Sequence, residues 1–141
     1  SVKKKIYKYI ILNRKTQSPM YDKRVWLVKN KLNVLQMKKG IKFYLGTHNF
    51  TSMRAASCVA KSPIRTITKA QISKKSDKII ITFESKSFLQ KQVRSMVGCL
   101  KYVGENKWKP EKIKSLLKNK KRELCAPPAP PEGLYLEKVF Y

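Results

Sequence analysis

Negative charge is scarce in this sequence: eight Asp and Glu stand against 33 Lys and Arg, a formal net charge of +25. A chain so unbalanced repels itself in the compact state unless a polyanion is near. Nucleic acid is therefore the first partner to consider, because the basic residues run through the whole chain and not through one tail. A membrane surface ranks second, but no apolar run is long enough to span a bilayer and no basic amphipathic helix stands apart from the rest. Lysines far outnumber arginines, a bias that resembles the codon usage of an AT-rich genome, so part of the charge is compositional. Histidine is reduced to His48, and Ser-His or Cys-His nucleophilic catalysis would depend on that residue alone, with no strained nucleophile elbow to accompany it. It reads as a loop hydrogen-bonding residue. Cys58, Cys99 and Cys125 are odd in number, far apart and without a C-x-x-C pair, so neither a disulfide framework nor a zinc knuckle is suggested. They read as small core residues in a reducing compartment, cytoplasm or mitochondrion. The opening "SVKKKIYKYI" has neither a signal-peptide apolar region nor transit-peptide character. It already reads as a strand, so the chain is expected to begin within a fold.

What is present supports one ordinary domain over residues 1–141, since 42% hydrophobic content over 141 residues can bury a core. Residues 3–12 are rich in Ile and Tyr with imperfect alternation and predict a strand. Residues 24–29 predict a second, after a loop at Ser18-Pro19. Asn33 can cap a helix carrying Val34, Leu35, Met37, Ile41, Tyr44 and Leu45, with Gly46 as the residue that closes it. "THNFTSMRAASCVAKSP" is polar and rich in small residues, and predicts a long functional loop. Strands are expected over 64–73 and 78–88, joined by the turn Lys75-Ser76-Asp77. Pro110 opens a helix with Ile113, Leu116 and Leu117 inward. The run Lys118, Lys120, Lys121 and Arg122 reads as a solvated face. "APPAPP" then stops regular structure and leads into a terminal strand, "EGLYLEKVFY". The sum is an α+β fold, a mostly antiparallel mixed sheet of about five strands flanked by about three helices.

The stretch "SFLQKQVRSMVG" poses a sharper question. At about 100° per residue, Leu89, Val93, Met96, Val97 and Leu100 share one stripe, which predicts an amphipathic helix over 89–103 that ends at Gly104. Arg94 falls on the edge of that stripe. Gly98, one turn on, is expected to leave room for its guanidinium along the helix, an arrangement that wants a partner.

Three blocks, "GTHNFTSMRAASCVAKSPIRTI", "SFLQKQVRSMVGCLKYVG" and "APPAPPEGLYLEKVFY", resemble in order and spacing the C-terminal half of TruA-type tRNA pseudouridine synthases, and "KIYKYIILN" with "RVWLV" extends the likeness to the start. The resemblance implies that an aspartate on the other half of the fold acts on uridine and that Arg94 pairs with it and keeps it ionised. It implies that Tyr7, first of a Y-x-Y pair, stacks on the target base and serves proton transfer there, with Tyr9 in support. The implied reaction is isomerisation of uridine to pseudouridine, without metal or organic cofactor. The implied substrate is tRNA, in the anticodon stem-loop, with rRNA as the alternative. A homodimer, or assembly with a missing N-terminal half, is implied as well. A flipped base needs a basic apron for phosphates, and Arg54, Lys61, Arg65 and Lys91 are the candidates.

Three departures accompany the resemblance. The family's G-R-T-D-A-G-V-H-like motif is not in this sequence, and Asp22 and Asp77 lack its flanking residues, so the chain alone is expected to be inactive. Gln90-Lys91 stands where the family has His-His. Asn49 replaces an acidic residue, and Met53 an aromatic. The competing reading is a non-catalytic RNA-binding derivative, such as a component of a ribosome or ribosome-assembly particle.

Overall fold

A computed structural model describes residues 2–16 and 24–141; the expected loop at Ser18-Pro19 and Asp22 lie outside the described residues. In chain order the elements are β1 (Lys4–Asn13), β2 (Trp26–Val28), α1 (Val34–Ile41), β3 (Gly46–Asn49), β4 (Ile64–Lys75), β5 (Lys78–Ser85), α2 (Gln92–Gly104), α3 (Glu111–Asn119) and β6 (Leu134–Phe140). The three helices and the mixed, mostly antiparallel sheet are those expected, but the described residues hold six strands. The additional one, β3, lies inside the segment predicted to be loop. "GTHN" carries no apolar alternation; it becomes a strand only because β4 supplies a ladder from Gly46↔Ile67 to Asn49↔Ile64. Gly46 therefore does not close α1. It takes φ +95° and turns the chain out of the Lys42–Tyr44 3₁₀ turn into β3.

The sheet runs β2-β1-β5-β4-β3, and β6 also pairs with β1. The far edge of β1 is thus shared end to end: β6 runs antiparallel along Lys4 to Tyr9, and β2 runs parallel along Ile11 to Asn13. A register shift between Ile6 and Tyr7 breaks the β1–β6 ladder. Alternation places Tyr9 and Ile11 of β1, and Ile79, Ile81 and Phe83 of β5, on the face covered by helices. Met37 and Ile41 of α1 meet them there in one cluster, with Val93, Met96, Val97, Leu100 and Val103 of α2 and Ile113, Leu116 and Leu117 of α3.

Local chemistry fixes the helix ends. Asn33 Oδ1 accepts from Gln36 N at 3.1 Å, the expected cap of α1. The Asn33 N–H donates to Gly104 O at 2.8 Å, which ties the start of α1 to the end of α2. At the other end of α2, Lys91 sits at φ +66° and the fully buried Gln92 accepts from Leu89 N through Oε1 at 2.9 Å. The chain therefore turns sharply before α2, three residues later than the expected helix start.

Candidate active site

Arg94 leaves the first turn of α2 at the margin of the core and is half-buried. Its partner is a backbone group: Nε donates to Ala129 O at 2.6 Å, and Ala129 N returns a bond to Arg94 O at 2.8 Å. The "APPAPP" segment is thus a strap laid along α2. Gly98 explains how it can lie so close, because a Cβ there would meet Pro127 O at 2.1 Å. The space predicted for the guanidinium is occupied by this carbonyl, a correction the helix phase alone could not supply.

Tyr7 comes to the same place from β1. Its ring meets Phe88 edge-on, with centroids 5.2 Å apart at 86°. Tyr7, Phe88, Gln90, Lys91, Arg94 and Leu134 wall one open cleft of about 350 Å³, a volume at the small end of ligand-binding clefts. Two cations face it and no carboxylate among the described residues does. None pairs with Arg94 either. Asp77, the second sequence aspartate, sits in the β4–β5 turn 3.7 Å from Arg14 Nε, away from the cleft.

Tyr9 points from the same strand face into the core. It is fully buried, packs edge-on against Trp26, and donates its hydroxyl to Pro130 O at 2.5 Å. Burial lifts its phenol well above the ordinary range; Glu132 adds to the rise and the Arg94 cation opposes it. The hydroxyl stays protonated and holds the strap from beneath.

The expected RNA contacts do not form one group. Lys91 is exposed on the cleft rim. Arg54 donates to Ala60 O at 3.3 Å inside the loop, and Ala55 N donates to Gln90 O at 2.9 Å, which anchors that loop beside the cleft. Arg65 spends Nη1 on Ser62 O and Ile64 O, its Nε is buried without a partner, and it lines a different hollow of about 470 Å³ with Thr66, Thr68 and Lys86. Lys61 is exposed. His48 donates to Leu45 O at 2.7 Å from β3, a structural hydrogen bond. Backbone hydrogen bonds at Ala60 and Gln90 hold the Cys58 thiol in the same loop below its usual range. Among the described residues no group of three or more His, Cys, Asp or Glu is placed to hold a metal ion, and no helix is long and apolar enough to cross a membrane.

Sequence reading missed Phe88, the ring that orients Tyr7, and Ala129, whose carbonyl holds Arg94. Phe88 was legible only as one more strand residue, and a backbone acceptor leaves no mark in a side-chain pattern.

A mixed, mostly antiparallel sheet backed by three helices is the α+β architecture of a pseudouridine synthase-like fold. The family model described as tRNA pseudouridine synthase matches residues 41–141, and this chain belongs to that family. The tRNA pseudouridine synthase A of Pelagibacter ubique (strain HTCC1062) is 55% identical over 141 residues, covering 100% of this chain and 57% of that protein. That of Acidiphilium cryptum (strain JF-5) is 42% identical over 135 residues, covering 96% of this chain and 53% of that protein. That of Thermoanaerobacter sp. (strain X514) is 43% identical over 141 residues, covering 100% and 58%. The chain therefore spans somewhat more than half the length of the curated relatives it matches.

Proposed function

We propose that this chain, folded as one domain, forms the arginine-and-tyrosine side of a tRNA pseudouridine synthase site, completed by an aspartate from outside the described residues. The observation that carries the reading is the shared cleft: Tyr7 and Arg94 wall it together, and the guanidinium has no carboxylate partner among the described residues. A carboxylate desolvated at the floor of this cleft by the incoming half and the flipped base would take up a proton unless a cation faced it. Arg94, braced by Ala129 O, is already positioned to be that cation. Its Nε is committed to the strap, which leaves the terminal amino groups for the incoming carboxylate.

The isomerisation breaks the bond from C1′ to N1 of uracil, turns the base, and forms a bond from C1′ to C5. The proton on C5 is lost and N1 gains one, so the nucleotide keeps its composition and no redox or group donor is consumed. Tyr7, held edge-on by Phe88, offers a ring for the flipped base and a hydroxyl for moving that proton. Lys91 on the rim, with Lys61, Arg54 and Arg65 on neighbouring surfaces, serves the phosphates. The substrate is a tRNA read by shape and backbone at the anticodon stem-loop, and the working assembly is a homodimer or an assembly with a missing N-terminal half. The bacterial relatives favour the cytoplasm over the mitochondrion. A non-catalytic RNA-binding role is supported by one observation, that Gln90 and Lys91 wall the cleft where the family has a histidine pair.

Full-length protein incubated with tRNA labelled with tritium at C5 of uridine separates the two readings. Release of tritium supports the synthase; retained tRNA binding without release sinks it. Arg94→Lys should lower the release rate by about 100-fold or more with little change in tRNA affinity, because a point charge does not reproduce the planar fork against a carboxylate.

A further inference from the structure

Cys99 and Cys125 take no part in the cleft, yet the fold brings them together across 26 residues of sequence, with Sγ atoms 3.5 Å apart. Cys99 is fully buried on α2, five residues beyond Arg94; Cys125 is half-buried at the point where the strap begins. From these positions we infer that Cys99 and Cys125 form a redox-sensitive staple, a dithiol that closes to a disulfide under peroxide and fastens the Arg94-bearing helix to the strap that holds Arg94. The inference stands independently of the proposed catalytic role.

Geometry favours the bond. The sulfurs need approach by only about 1.5 Å to reach disulfide length. One partner lies on a rigid helix, and the other lies in irregular chain between the Arg122–Leu124 turn and Ala126, where small torsion changes can carry it. The third thiol, Cys58, lies in the separate loop beside Gln90. The hydrogen bond between the two sulfurs, in which either can be the donor, eases loss of one proton from the pair, while that bond and burial hold back the second. In the resulting monoanion the charge belongs to the pair, because the remaining proton sits between the sulfurs and can pass to Cys99. The half-exposed Cys125 is then the sulfur that meets oxidant. It attacks hydrogen peroxide, forming a sulfenic acid and expelling hydroxide, which takes the proton held on Cys99; the Cys99 thiolate so formed displaces the second hydroxide from the Cys125 sulfur. In total two thiols lose two protons and two electrons, and one peroxide becomes two waters.

The consequence falls on the strap. Ala129, four residues beyond Cys125, exchanges two backbone-linked hydrogen bonds with Arg94, and Pro130 O accepts from Tyr9. Stapling the upstream end of this segment to α2 restricts its lifting away and so restricts the wandering of the guanidinium.

Full-length protein is treated with equimolar hydrogen peroxide, quenched with iodoacetamide under denaturing conditions, weighed intact and mapped as peptides without reduction. A mass about 116 Da below that of the fully alkylated untreated protein, two hydrogens lost and two alkylations prevented, with a peptide joining Cys99 to Cys125, reversed by dithiothreitol and absent from Cys125→Ser, supports the staple. Cys58→Ser should retain it, which guards against a misfolded Cys125 variant. Sulfinic or sulfonic acid without a link, a link through Cys58, or thiols that stay fully alkylatable in both proteins would overturn it. Hydrogen exchange at the Ala129 amide should slow at least tenfold on oxidation; an unchanged rate in cross-linked protein overturns the coupling to Arg94.

Discussion

At Gly98 one hydrogen atom decides whether the strap can lie on α2. A Cβ there meets Pro127 O at 2.1 Å, and that neighbour is backbone in a proline-flanked segment that cannot rotate aside. Gly98→Ala should therefore cost about 3 kcal/mol, the upper end of the usual penalty for overpacking, and a lowered midpoint in urea unfolding checks it. The same change should loosen Arg94, because the displaced strap carries the Ala129 carbonyl. Arginine at the edge of an apolar stripe was readable from helix phase. Its acceptor was not, since a carbonyl 35 residues away has no sequence signature.

Between elements, the end of α2 is where three pieces of chain are held. Glu105 closes α2 with its carboxylate nearly enclosed, 3.1 Å from Lys101 and 3.6 Å from Lys107, and it accepts from Asn30 Nδ2 at 3.2 Å, beyond β2. Burial raises its pKa, but the Asn30 hydrogen bond and the two lysines outweigh that and leave it below the usual carboxylate range. A depressed folded value means that the stabilisation is fully present above the unfolded pKa of about 4.3 and is lost as pH falls from there through the folded value. Glu105→Gln should accordingly be less stable than the unsubstituted protein at pH 7, with the gap narrowing below about pH 4. Urea midpoints measured at pH 7 and pH 3 test this, and a gap that stays constant would refute it.

For the whole molecule, a charge of +25 gives salt two opposite effects. Screening weakens self-repulsion in the compact state, so the unfolding temperature should rise with moderate salt. Binding to RNA releases counterions, so affinity should fall, with a slope of log K against log salt of about −3 or steeper if four or more phosphates are neutralised. Lys91→Ala should make that slope shallower by nearly one unit if Lys91 meets a phosphate on the cleft rim. Salt-insensitive binding would remove the case for a basic apron.

Periodicity and turn chemistry were enough to define the long elements: β5 alternates cleanly, Asn33 caps α1, and the stripe from Leu89 to Leu100 marks α2. These signals are local, so a single chain carries them. Composition likewise set the polyanion preference, and residue type with helix phase placed Arg94 at the core margin. Pairing was beyond such reading. β3 exists because β4 lies beside it, β2 runs parallel to one end of β1 while β6 occupies the other, and Gly98 makes room for a proline carbonyl. Tyr7 and Arg94, 87 residues apart, face one cleft only because β1 and α2 pack into one core, and Cys99 meets Cys125 only because the strap folds back. Backbone carbonyls and distant neighbours supply those contacts, and neither is written in the pattern of side chains along the chain.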